Sequence, residues 1–246
     1  MTPIVIVPAR LAASRLPGKP LADIAGAAMV VRVLRQAESA SVGPAAVAAG
    51  DWEIVEAVRA AGGRAVLTDP LLPSGSDRVL AALAELDPDG RCDVVVDLQG
   101  DMPFVAPAAI TACLGVLAAE ADCDIATAIA PEASSADRAD PAVVKAVVSL
   151  KAGEPRGRAL YFTRSVLYGE GPVWKHVGLY AYRRPALERF CAAPPSPLEQ
   201  REKLEQLRAL ELGLSIWAAV VDETPISVDT PADLEAARAF ARTHSL

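Results

Sequence analysis

Histidine is nearly missing from this chain of 246 residues: His176 and His244 are the only ones. The four cysteines, Cys92, Cys113, Cys123 and Cys191, form no C-x-x-C pair, so the sequence barely supplies the ligands of a His/Cys zinc centre. Three of them lie in or beside apolar runs, where a thiol behaves as a small hydrophobe, and a reduced, cytoplasmic setting follows. Met1-Thr2-Pro3 passes straight into an apolar segment, without the basic stretch and long apolar core of a signal peptide. Long hydrophobic runs are also missing. The longest nearly uncharged stretch, Phe104 to Ala119, is broken by Pro107 and carries Thr111 and Gly115, which suits a loop and a buried helix rather than a membrane span. Neither G-x-x-x-x-G-K-[ST] nor G-x-G-x-x-G occurs, so the Walker A loop is excluded and nothing supports a dinucleotide fold. Basic residues are scattered over a chain of net charge −7, which excludes a long-range pull toward nucleic acid or an anionic membrane.

What is present is alternation. Short β-branched runs at Ile4–Val7, Ala45–Ala49, Arg64–Leu67, Asp93–Leu98 and Ile125–Ala130 alternate with helical patterns at Met29–Ser39, Trp52–Ala61, Ser76–Leu86 and Pro107–Glu120. Helices are also expected at Leu198–Leu212 and Pro231–Arg242. That is the pattern of an α/β fold: a mostly parallel, mixed sheet with helices on both faces. From Pro141 to Tyr182 strand-like segments, Val143–Leu150, Ala159–Phe162 and Val177–Tyr182, are separated by turns such as Gly153-Glu154-Pro155 and Gly169-Glu170-Gly171-Pro172. The expectation is a single domain over residues 1–246, with a strand-rich insertion at about 141–182.

In such sheets ligands bind beyond the carboxyl ends of the strands. The segment after Val7, Pro8-Ala9-Arg10-Leu11-Ala12-Ala13-Ser14-Arg15-Leu16-Pro17-Gly18-Lys19-Pro20, places three cations within ten residues, beside Ser14 and Gly18. Scattered charge elsewhere makes this a local site for a local anion, and a triphosphate suits it. Asp101, in Gln99-Gly100-Asp101, follows the strand Val94–Leu98 as a magnesium ligand would, whereas Asp97 sits inside that strand. In Asp229-Thr230-Pro231-Ala232-Asp233, helix initiation explains Thr230, Pro231 and Asp233 but leaves Asp229 over, free to complete a metal site. Asp77 and Glu199 read as capping residues of the boxes opened by Ser74 and Ser196. Leu204, Leu207, Leu210 and Leu214 recur at helical spacing as a core or dimer face, with Gln206 off that stripe.

Taken in order, the loop from Pro8 to Leu21, Ser74-Gly75-Ser76-Asp77-Arg78, Gln99-Gly100-Asp101, Pro195 to Glu199 with Leu204 to Arg208, and Val228 to Glu235 resemble the 3-deoxy-manno-octulosonate cytidylyltransferase (CMP-Kdo synthetase) family nearly end to end. The resemblance implies a nucleotide-diphospho-sugar transferase fold, a homodimer, Mg²⁺ dependence and a part in lipopolysaccharide synthesis. It implies attack by the anomeric 2-hydroxyl of Kdo on the α-phosphorus of CTP, with release of pyrophosphate and no protein base. By that likeness Pro8, Ala9, Arg10, Arg15, Lys19, Ser74, Gly75, Gln99 and Gly100 meet CTP, and Asp101 and Asp229 hold the metal. Lys19, Asp101 and Asp229 form the catalytic group. Arg78, Arg164, His176, Tyr180 and Gln206 meet the sugar, with the insertion serving sugar binding and dimerisation. Two positions depart from the family pattern: Met102 stands where an acidic residue is common, and Gly50, followed by Asp51, stands where an Asp is common. Those departures leave open another acidic sugar, 8-amino-Kdo or sialic acid, and a nucleotide- or sugar-binding protein without catalysis.

Overall fold

The structure is a computed structural model that describes residues 1–12, 15–131, 135–167 and 172–244. It divides into two compact units, Met1–Pro107 with Pro225–Leu246, and Ala108–Thr224. Ser14, and Gly169 to Gly171 of the expected turn, lie outside the described residues.

The first unit runs β1 (Pro3–Ala9), a hairpin of β2 (Asp23–Ile24) and β3 (Ala27–Ala28), α1 (Met29–Ser39), β4 (Ala45–Ala49), α2 (Trp52–Ala60), β5 (Ala65–Leu67), α3 (Gly75–Leu86) and β6 (Val94–Leu98). Its strands lie in the order β5-β4-β1-β6 and every pairing is parallel. Helices must cover both faces of such a sheet, which is why β1 is a continuous apolar run with Ile4 to Val7 all buried. The register pairs Ala9 with Ala49 and Ala49 with Leu67, so these strand ends share one edge. α1 buries Met29, Val30, Val31, Val33, Leu34 and Ala37 as one stripe. α3 starts where Ser74 accepts a hydrogen bond from the Asp77 amide, as its capping pattern requires.

The second unit contains α4 (Pro107–Ala119), β7 (Ile125–Pro131), α5 (Ser135–Ala139), β8 (Lys145–Ser149), β9 (Arg156–Thr163), β10 (Trp174–Arg183), α6 (Arg184–Ala192), α7 (Pro197–Glu202), α8 (Gln206–Glu211) and β11 (Ile216–Val220). Here the order is β10-β7-β11-β9-β8, with β7 and β11 parallel and the remaining pairs antiparallel. β10 also pairs with β8 through Trp174 and Ala146, so the two ends of this order meet. The expected strand-rich stretch at 141–182 falls inside this unit.

The chain then returns to the first unit as α9 (Pro231–Thr243), opened by a capping box of Thr230 and Asp233. α9 contributes Leu234, Ala237 and Ala241 to a small core with Ile24, Met29 and Val228, against which Leu16, Ala22, Phe104 and Ile226 pack. Leu16 belongs to the cationic loop, so α9 is what that loop rests on.

One expected helix is corrected. Leu198–Leu212 is not continuous: Lys203 takes φ 56° and ψ 44°, ending α7 before α8 begins. Residues nine apart lie on opposite faces of a single helix and about 13 Å apart along its axis. The break instead lets Arg208 Nη2 reach Glu199 Oε1 at 2.7 Å and Arg208 Nε reach Glu199 Oε2 at 2.8 Å. Leu204, Leu207 and Leu214 are buried within the chain, so the leucine stripe is core. α6 and β11 carry no expectation from the sequence pattern. Among the described residues no helix is long and apolar enough to cross a membrane.

Candidate active site

A cavity of about 330 Å³ opens at the carboxyl edge of the first unit's sheet. Its wall begins with Pro8, Ala9 and Arg10 at the end of β1 and continues through Ala12, Arg15, Leu16 and Lys19. Ser74, Gly75 and Arg78 come from the start of α3, Gln99, Gly100 and Asp101 follow β6, and Asp229 precedes α9. Every residue that the sequence assigned to nucleotide or metal therefore lines one cavity.

Local structure explains the convergence. The Leu11 amide donates to Asp51 Oδ2 at 2.7 Å and the Gly50 amide donates to Ala9 O at 2.8 Å, tying the loop after β1 to the loop after β4. Gly18 takes φ 71°, a left-handed conformation that glycine enters without strain, and turns the chain into a single 3-10 turn at Lys19–Leu21. The Val228 amide donates to Asp101 O at 2.9 Å, which brings the segment bearing Asp229 alongside Asp101. Asp233 Oδ2 accepts from the Asp229 and Thr230 amides, so the capping box also holds the backbone beneath Asp229.

Lys19 Nζ lies 3.0 Å from Asp229 Oδ1 and 3.4 Å from Asp101 Oδ2, and Arg15 Nη2 lies 3.1 Å from Asp229 Oδ2. Desolvation pushes the Asp101 carboxyl above its usual range; Lys19 pulls it back and the Asp229 charge adds to the rise. A carboxylate so placed gains from a nearby cation. Arg10 is exposed and has no ion-pair or hydrogen-bonding partner among the described residues, though its charge acts on Arg78. Gln99 Nε2 donates to Asp97 Oδ1 at 2.9 Å, which directs the amide oxygen of Gln99 away from that carboxylate.

Arg78 has a different placement from the sugar contact expected of it. It is 2% exposed, and its Nη1 donates to Thr68 Oγ1 at 2.6 Å and Asp69 O at 3.0 Å. It lines this cavity while bracing the loop after β5. A Cβ on Gly50 would lie 2.9 Å from Arg78 Nη1 and 3.1 Å from the Arg10 Cβ, so a side chain at position 50 must displace Arg78.

The remaining sugar candidates are in the second unit. Thr127 Oγ1 meets Leu179 O at 2.8 Å and His176 Nε2 at 2.9 Å. The single hydroxyl proton goes to the carbonyl, so Nε2–H of His176 donates to Thr127 and Nδ1 is left as an acceptor. Burial pushes the His176 imidazole down to about 3, which keeps it neutral. The Tyr180 ring lies 5.4 Å from it, centroid to centroid. Arg164 spends its guanidinium on backbone carbonyls: Nε donates to Glu202 O and Nη1 to Pro141 O, each at 3.1 Å. Gln206 opens α8 and is buried.

The family model for cytidylyltransferases matches residues 4–216. A 3-deoxy-manno-octulosonate cytidylyltransferase of Rhodospirillum centenum is 59% identical over 239 residues, covering 97% of this chain and 93% of its own. The chain belongs to the 3-deoxy-manno-octulosonate cytidylyltransferase family. The family member from Parvibaculum lavamentivorans is 57% identical over 246 residues, with 99% of this chain and 94% of the relative covered. A solved CMP:2-keto-3-deoxy-manno-octonic acid synthetase complexed with CTP superposes with a TM-score of 0.89 at 36% identity, covering 99% of this chain and all of the other. Family membership makes this chain a nucleotidyltransferase.

Sequence reasoning noted Asp51 only as a displaced family position and missed it as an anchor of the cationic loop. Its place as the residue before α2 was the available signal. It missed the Val228 to Asp101 bond entirely, because backbone pairing between distant segments leaves no mark in residue types.

Proposed function

We propose that this chain transfers CMP from CTP to the anomeric 2-hydroxyl of 3-deoxy-D-manno-octulosonate, releasing pyrophosphate and forming CMP-Kdo for lipopolysaccharide synthesis in the cytoplasm. The observation that carries the reading is the convergence of Arg10, Arg15, Lys19, Asp101 and Asp229 on one cavity in a member of this family. In-line displacement at phosphorus asks a protein for alignment and charge neutralisation rather than a covalent intermediate. Arg10, Arg15 and Lys19 take the triphosphate, and the backbone at Ser74-Gly75, where α3 begins, adds hydrogen-bond donors and the positive end of a helix dipole. Pro8, Ala9, Gln99 and Gly100 frame the nucleotide.

Asp101 and Asp229 suit a hard dication: both are carboxylates, and burial disfavours the charged form of Asp101 even with Lys19 beside it. When bound there, Mg²⁺ supplies polarisation of the α-phosphate and a lowered pKa for the attacking hydroxyl. Tyr180, the acceptor Nδ1 of neutral His176 and Gln206 receive the acidic sugar. Arg164 and Arg78 act on it by holding the segments around them. The strand-rich stretch at 141–182 serves a homodimer, and Leu160 and Val166, each more than half exposed, give it apolar surface.

Pyrophosphate release from purified protein is expected to require CTP, Kdo and Mg²⁺ together and to stop with EDTA. Release with sialic acid or 8-amino-Kdo but not Kdo would replace the substrate; CTP binding with no release from any sugar would replace catalysis with binding. Arg10→Ala is expected to raise KM for CTP about tenfold, the weight of one charge-assisted phosphate contact, while leaving the melting temperature unchanged because the side chain is exposed. A KM within twofold of the parent's would remove Arg10 from the phosphate site.

A further inference from the structure

We propose that Lys19 is the counter-ion of the carboxylate pair in the free protein, and that it must leave Asp101 and Asp229 before a divalent cation binds there, so that metal binding waits for nucleotide. This rests on the reading of those carboxylates as the cation ligands.

The geometry is that of one cation serving two anions. Lys19 Nζ is within 3.4 Å of an oxygen from each aspartate, and its side chain is only 16% exposed. Arg15 engages the second oxygen of Asp229. The two carboxylates are therefore matched by two cations. A dication added without any departure would compete for oxygens that are occupied and would meet two like charges at close range.

A triphosphate changes that balance. It offers several negative charges in the same cavity, and Lys19 and Arg15 sit on a segment whose path is set by Gly18 in the left-handed region. Once the phosphates draw the two cations away, Asp101 and Asp229 lose their counter-ions together. Nucleotide thereby creates the vacancy that a metal fills, and by linkage metal at the carboxylates releases Lys19 for nucleotide. Lys19 acts in this exchange as a positioning residue as well as a phosphate ligand.

The test is Mn²⁺ binding to the intact free protein without nucleotide, read by the loss of the free-ion electron paramagnetic resonance signal. The parent protein is expected to bind weakly and Lys19→Met about tenfold more tightly or better, since an uncompensated carboxylate pair attracts a dication. Lys19→Arg keeps the charge and is expected to stay as weak as the parent. Lys19→Met combined with Asp229→Asn is expected to lose the gain. Equal affinity in the parent and Lys19→Met, or a gain that survives Asp229→Asn, overturns the exchange. Lys19→Gln takes the place of Lys19→Met should thermal unfolding show that variant unfolded. Pyrophosphate release by the parent is assayed alongside: a Lys19-dependent gain without turnover keeps the exchange and removes the proposed reaction, while turnover without the gain does the reverse.

Discussion

Asp229→Asn is expected to lower kcat for pyrophosphate release by about a thousandfold, because a bound dication contributes several kcal/mol of transition-state stabilisation and each factor of ten is about 1.4 kcal/mol. The substitution keeps shape and removes charge. It leaves the capping box intact, since Asp233 rather than Asp229 accepts the amide hydrogen bonds at the start of α9. Asp229 is 38% exposed and its partners are cations that water can solvate, so stability should change by no more than about 0.5 kcal/mol. Activity and melting temperature are thus expected to separate. A variant with near-normal turnover would show that Asp229 serves only as the acceptor for Lys19 and Arg15. A variant that lost its fold would show that those ion pairs hold the loop in place.

The largest loss of stability is expected far from that cavity, in the second unit. Arg208 is 4% exposed, is held bidentately by Glu199, and lies with its guanidinium carbon 4.5 Å from the centroid of the Phe190 ring. Arg208→Met leaves the half-buried Glu199 carboxylate with only the Ser196 amide as a partner, which costs about 1–3 kcal/mol. Urea unfolding measures it, and adding Glu199→Gln to Arg208→Met should recover part of the loss, since only Glu205, whose Oε1 lies 3.7 Å from Arg208 Nη2, then loses a counter-ion. Burial works to raise the Glu199 carboxyl, but hydrogen bonds from Arg208 and the Ser196 amide, with the Arg208 charge, outweigh it and hold the group below the usual glutamate range. A carboxylate depressed in the folded state stabilises the fold fully above its unfolded value. That contribution fades as pH falls through the depressed one. The parent's acid unfolding curve should therefore lose a component in Glu199→Gln, and identical curves for the two proteins would show that this pair has no part in acid stability.

Much of the first unit could be read in advance because its signals are local. The run Ile4–Val7, the stripe of α1, and the caps at Ser74 and Thr230 each state their element within a few residues, and the chemistry stands beside them in the loops that follow. The second unit was less legible. A single helix was the natural reading of Leu198–Leu212, because nothing in residue types marks Lys203 for a positive φ. The bend there accompanies the pairing of Glu199 with Arg208, a contact between the two short helices. β11 is an ordinary apolar run that becomes a strand through β7 and β9 on either side of it. Arg164 and Arg78 carried the chemistry of anion ligands, yet Arg164 meets backbone carbonyls and Arg78 the Thr68 hydroxyl and the Asp69 carbonyl, a choice made by tertiary packing.

Lys19 and Asp229 are 210 residues apart, and α9, on which the loop containing Lys19 rests, is the final described helix. A ribosome making this chain releases the cationic loop first and must translate the whole second unit before Asp229 and α9 follow. Domains fold as units, so the first unit, which includes residues 225–246, is completed only when the chain is nearly finished. Until residue 229 has been made the cavity lacks one of its two carboxylates, and a chain stopped before that point never gains it.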